Sequence, residues 1–220
     1  QKEGIKWAIR AAENGSTQAM GALMYGYKTD LDDVEAWFVP PFETGKDLKL
    51  YVKWATKAAE TGDPHYQYEL ATRYENGELG FEKNTSKAIE WFKASAKQNF
   101  FKSQERLAET YYFGEITLNN YEEAMKWYKM LAERPRGGSW ENNTTIVRAN
   151  YMVGHSYDKL GNYQEAIKWH KKAIENATIW ADIRRSSKSI WGEPAYYLES
   201  YITDSTSAIA NIYHFDLKND

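Results

Sequence analysis

The sequence predicts an all-α protein, a right-handed α-solenoid of antiparallel helix pairs with three loop insertions. Three observations predict it. A tryptophan-centred segment recurs five times, as IKWAIRAAENG, VKWATKAAETG, IEWFKASAKQN, MKWYKMLAERP and IKWHKKAIENA, and recurrence at a near-constant interval is the signature of stacked units. Between these segments a Leu-x-x-x-Tyr spacing repeats. No stretch sustains the alternation of a half-buried strand.

The five tryptophans, Trp7, Trp54, Trp91, Trp127 and Trp169, are separated by 47, 37, 36 and 42 residues. Three positions before each stands Gly4, Tyr51, Ala88, Ala124 or Ala166, and four after it Ala11, Ala58, Ser95, Leu131 or Ala173. Offsets of three and four share one helix face, so the small residues admit a neighbouring helix while the indole fills the remaining gap. These segments are helix B of each unit. Helix A carries the pairs Leu23/Tyr27, Leu70/Tyr74, Leu107/Tyr111 and Val153/Tyr157. Gly77 and Gly114 follow their tyrosines by three residues, where a helix needs a stop. All five prolines (Pro40, Pro41, Pro64, Pro135, Pro194) fall at predicted boundaries, outside every helix B. The units read as a partial one over 1–15, then about 16–62, 63–99, 100–135 and 144–178, with capping helices over about 194–216 closing a single repeat domain. Asp204 is expected as the N-cap of the last helix.

Departures from the period place insertions between Tyr27 and Leu48, between Glu133 and Thr144, and from Thr178 to Glu193. The four tryptophans outside the repeat, Trp37, Trp140, Trp180 and Trp191, all fall there. Trp37 is expected to pack on the first units, and Trp140, after Arg136-Gly137-Gly138-Ser139, to be exposed.

The order Leu107-Ala108, Tyr111, Gly114, Asn120, Ala124, Trp127-Tyr128 resembles that of Sel1-like repeats, a branch of the tetratricopeptide superfamily, and the units around Trp54 and Trp91 share it. From Val147 to Trp180 the chain is more similar to an ordinary tetratricopeptide repeat, with Gly154, Tyr157, Ala166 and Ala173 at that pattern's positions. Gln104 and Pro135 depart from the family, standing where it has a small residue and a glycine. The first unit opens inside helix B, so a trimmed or processed boundary is expected at residue 1.

The resemblance implies a scaffold or adaptor that holds a protein or peptide along the concave surface lined by helix A. Carried onto this chain, the candidate positions are Tyr68 and Thr72 (with His65), then Lys102, Glu105, Glu109 and Tyr112, then Arg148, Tyr151, His155 and Asp158. Trp140 joins them as an aromatic anchor on an insertion. The resemblance is compatible with a bacterial exported or envelope setting and with eukaryotic complexes, and the residues choose neither.

Composition and motifs exclude several other functions. Among 220 residues, 28 basic against 31 acidic leave a net charge of -3, so no basic field awaits nucleic acid or anionic lipid. No apolar run approaches the ~18 residues of a membrane span, and no signal-peptide pattern opens the chain. With no cysteine there is no disulfide, thiolate zinc site or cysteine nucleophile. The four histidines form no HExxH pair, although His155 and His170 can approach one another within one helical hairpin. Asp30, Asp32 and Asp33 lack the glycine and glutamate of a calcium loop in register. Glu122-Glu123 follows Asn119-Asn120 at a helix start, where negative charge suits the helix dipole. The reading is therefore non-catalytic, without metal or cofactor. Two other classes stay open: a glycan-binding module stacking sugars on off-repeat Trp and Tyr rings, and an envelope-associated hydrolase using dispersed carboxylates. Oligomeric state is not fixed by the sequence.

Overall fold

Asp and Asn residues cap several of the helix starts. The Asp47 carboxylate accepts from the Lys49 and Leu50 N–H groups at 3.0 and 3.1 Å, and Asp63 from His65 N–H at 2.9 Å. Asn84 and Asn120 do the same for Lys87 and Glu123, each at 3.0 Å. These contacts satisfy donors that a first helical turn leaves open.

The computed structural model describes residues 2–28, 46–114, 119–135, 140–186 and 196–216. Its helices are α1 (Lys2–Glu13), α2 (Thr17–Lys28), α3 (Leu48–Glu60), α4 (Pro64–Asn76), α5 (Thr85–Ala96), α6 (Phe101–Phe113), α7 (Tyr121–Ala132), α8 (Trp140–Lys159), α9 (Tyr163–Ser186) and α10 (Tyr196–Asn211). A π-helical turn, Ile212–Asp216, follows α10. No strand occurs among the described residues, and the chain is an all-α repeat solenoid. It divides into two compact units, residues 1–103 and 104–220. In the first, α1 to α5 pack each on the next; in the second, α7 packs on α8, α8 on α9, and α10 on both α8 and α9.

Gly77 ends α4 as the spacing predicts. It adopts φ 70°, donates its N–H to the Arg73 carbonyl at 2.9 Å, and a Cβ there would meet the Lys83 Cβ at 2.9 Å and its backbone nitrogen at 3.1 Å. Gly77→Ala should therefore lower stability by about 1–2 kcal/mol, from left-handed strain and the close approach together; urea denaturation of the variant beside wild type measures it.

Both units use one register. The residue after the helix-A anchor and the residue after the helix-B tryptophan are both buried and complementary in size: Ala71 with Phe92, Ala108 with Tyr128, Gly154 with His170. In the first pair the sizes are exchanged, Met24 standing with Ala55. At Gly154 the fit is close, since a Cβ there would stand 3.0 Å from three atoms of the His170 ring, so the small residue makes room for the ring.

Four expectations need correction. The motif predicts an indole filling the core in each helix B, yet Trp7 is exposed and Trp91 and Trp127 are only half-buried; Phe92 and Tyr128, one residue on, are the buried rings. The third insertion is helical over its first nine residues, because α9 continues to Ser186. Its Ala177 and Ala181 extend the small face begun by Ala166 and Ala173, and with half-buried Trp180 they pack on Val147 and Leu198. Asp204 is not an N-cap, since α10 begins at Tyr196 and places it mid-helix. In the second insertion, Trp140 to Asn143 already form the start of α8. Trp37 and Trp191 lie outside the described residues.

Candidate functional site

Helical spacing brings most candidate residues of the second unit into two adjoining groups. On α8, Arg148, Tyr151, His155 and Asp158 follow at offsets of three, four and three, which is a single stripe. On α6, Glu105, Glu109 and Tyr112 are spaced by four and three, and face that stripe.

The first group is an ion-pair cluster. One nitrogen of the Arg148 guanidinium donates to Glu105, and the other lies 3.0 Å from Glu109 Oε1. Burial works against the charge on Arg148, but Glu105 and Glu109 outweigh it and hold its pKa above the usual value. For Glu109 burial dominates and raises the carboxyl, opposed by Arg148. These three predicted binding residues thus satisfy one another.

The second group is aromatic. The Tyr112 hydroxyl lies 3.4 Å from His155 Nδ1, and burial pushes that hydroxyl up to about 12. It therefore stays protonated at neutral pH and can donate to Nδ1, leaving the imidazole proton on Nε2. Tyr151 stands edge-on to His155, ring centroids 5.1 Å apart, and is tilted against Tyr201 of α10 at 5.5 Å. Burial lowers the His155 pKa, with Asp158 opposing, so the ring is neutral at physiological pH.

Beside this group a cleft of about 250 Å³ opens between α8 and α10. Tyr151, His155 and Asp158 line it from α8, Asp204, Ser207 and Asn211 from α10, with Ile212 of the following turn. Asp204 is exposed and Asp158 half-buried, and neither carboxylate has an ion pair or side-chain hydrogen bond among the described residues. At neutral pH the cleft carries negative charge beside aromatic surface, which suits recognition. Among the described residues no group of three His, Asp or Glu could hold a metal ion.

The α10 half of the cleft was missed in the sequence. Its signal is Asp204, Ser207 and Asn211, three and four apart, which an N-cap at Asp204 would keep off one helix face. His155 and His170 do approach one another, as the hairpin spacing allows, and His170 is wholly buried at 0% exposure. Its ring lies edge-on to Tyr151 at 5.6 Å and to His155 at 5.9 Å.

The first unit spreads its candidates. Tyr68 packs between Phe92 and Phe100, ring centroids 5.6 and 5.5 Å away, and the Thr72 hydroxyl donates to the Tyr68 carbonyl at 3.0 Å. His65 is exposed and meets Phe100 edge-on at 6.1 Å. Lys102 is exposed, its ammonium 6.0 Å from the Phe101 ring centre. Trp140 is the first residue of α8, and its side chain lies outside the description.

Comparison with known proteins agrees with the repeat. The Sel1 repeat family model matches residues 1–16, 64–100 and 102–135, and a tetratricopeptide repeat model matches 147–177. The chitin synthase regulator SKT5 of Saccharomyces cerevisiae is 31% identical over 133 residues, covering 60% of this chain and 18% of that protein. The chain thus spans less than a fifth of that relative's length. The Sel1 repeat protein from Oxalobacter formigenes superposes with a TM-score of 0.51 at 20% identity, over 94% of this chain and 79% of that one. The protective antigen c5321 of uropathogenic Escherichia coli, which displays an SLR fold, gives 0.52 at 20% identity over 94% and 51%. At that identity the two structures establish the fold alone.

Proposed function

This chain is a Sel1-like repeat protein of the tetratricopeptide-like α-solenoid superfamily, and from that premise we propose that it is a non-catalytic adaptor that binds a protein or peptide. Repeats of this kind generally mediate protein–protein interaction. The observation that carries the reading is the open cleft between α8 and α10, where aromatic rings adjoin two carboxylates without ion pairs among the described residues. Such a mixture gives a partner side chain both contact area and directional contacts. The name of the yeast relative, a regulator of chitin synthase, describes a protein that controls an enzyme, in keeping with an adaptor role.

An affinity pull-down from native-host lysate tests the proposal, with wild type, His155→Ala and Trp140→Ala as parallel baits and mass spectrometry as the readout. A partner retained by wild type and depleted from either variant is the expected result. Recovery of nothing specific, together with turnover of a glycan or peptide substrate by the purified protein, would overturn it.

A further inference from the structure

We infer that the cleft between α8 and α10 seats an arginine side chain of the partner, its guanidinium between Asp158 and Asp204 and over the Tyr151 ring, and its stem against Ile212. The inference rests on the adaptor reading and adds to it the chemistry of the residue recognised.

The first ground is charge. Asp158 on α8 and Asp204 on α10 both line the cleft and both act electrostatically on His155, so their fields converge on one place. No cation of the described residues pairs with either, in contrast to Glu105 and Glu109 on α6, which share Arg148. The cleft is thus left with two negative charges that an incoming cation can satisfy.

The second ground is shape and surface. At about 250 Å³ the space admits a long side chain. Tyr151 offers ring surface over which a planar cation is attracted by the π quadrupole, and Ile212 offers apolar surface for methylenes. Asn211 supplies an amide oxygen. A guanidinium exploits this better than an ammonium, because its flat fork reaches two carboxylates on different helices while stacking on a ring, and it is more weakly hydrated.

The third ground is the wall behind the cleft. His170 is fully buried, both its ring nitrogens lack hydrogen-bond partners, and its ring lies against both Tyr151 and His155. The groups facing His155 are Tyr112 from α6, Tyr151, Asp158 and Lys159 on α8, His170 from α9 and Asp204 from α10. A proton on His155 would put a positive charge in the place the guanidinium takes, so binding and protonation oppose one another.

The test is a titration of the isotopically labelled full chain with Nα-acetyl-arginine amide, followed by backbone amide shifts. The citrulline analogue serves as neutral isostere and the lysine analogue as the other cation. Saturable shifts should gather on α8 around 151–158 and α10 around 204–211, at least tenfold weaker with citrulline and weaker with lysine. Asp158→Asn and Asp204→Asn, conservative changes at solvated carboxylates, should each weaken binding by about five- to tenfold. Affinity should fall as acidification protonates His155 in wild type, and fall less in His155→Gln. Equal shifts with citrulline, equal affinity for lysine, or full affinity in both Asn variants would overturn the inference. A partner captured in the pull-down by a chain that ignores arginine would leave the adaptor reading standing and remove only this one.

Discussion

Trp54→Ala is expected to lower the unfolding free energy by about 3–5 kcal/mol, as for other buried tryptophans truncated to alanine, whereas Trp7→Ala should cost under about 0.5 kcal/mol. The two residues hold the same position in the same repeated motif. Trp54 is 1% exposed, and Trp7 is 64% exposed. The Trp54 indole sits in a core with Leu23, Tyr27, Tyr51 and Leu70, and Lys53 and Lys57 carry their ammonium groups within 4.9 and 5.5 Å of its ring centre. Removing it forfeits apolar burial and leaves a cavity among residues that α2, α3 and α4 hold in place. Trp7 has the Arg10 guanidinium at 5.3 Å and largely solvent elsewhere. Half-buried Trp91 and Trp127 should fall between the two. Circular dichroism in urea, run on the four single variants, orders them; equal losses at Trp7 and Trp54 would show that motif position rather than burial sets the cost.

That contrast also marks how far the sequence could be read. A tryptophan with small residues three before and four after it is enough to specify a helix and its packing face, and Leu70/Tyr74 followed by Gly77 is enough to specify the partner helix and its end. Those signals are local, and all of them appear as helices or turns. What covers a given indole depends on the neighbouring helix, which is why Trp7 and Trp54 look alike in the sequence and differ in burial. The helix of 178–186 was lost for a related reason. Ala181 within it and Ala177 just before it continue the small face, but the partner that buries them, Leu198 of α10, lies beyond the last repeat unit. In the candidate site, the α8 stripe followed from family positions. The pairing of Arg148 with Glu105 and Glu109 did not, because it joins residues 43 and 39 apart in the chain. Asp204, Ser207 and Asn211 enter the cleft only because α10 packs on α8.

Acidification should destabilise the protein through His170, by roughly 3 kcal/mol once the pH has fallen from 7.5 to 4. Burial first, and the nearby His155 second, bring the His170 pKa down from 6.5 to about 4. An unfolded chain takes up the proton near pH 6.5, whereas the folded chain resists until about pH 4. Above 6.5 neither state is protonated at this residue and the contribution is complete; between 6.5 and 4 it drains away as the unfolded state alone gains the proton; below 4 it levels off. The geometry explains why the fold tolerates no earlier protonation. Neither ring nitrogen has an acceptor, and the ring lies so close to α8 that a Cβ on Gly154 would stand 3.0 Å from three of its atoms. His170 occupies the register filled by Phe92 and Tyr128 in neighbouring repeats, so His170→Phe keeps the ring and removes the titration. The unfolding free energy of wild type minus that of His170→Phe, followed by urea denaturation from pH 7.5 to 4, should fall by the stated amount. His155, whose pKa burial also depresses, contributes in the same direction in both proteins and largely cancels in the difference. Parallel pH profiles would mean that the imidazolium finds an acceptor in the folded state, and the slot would then be a charged one rather than an aromatic one.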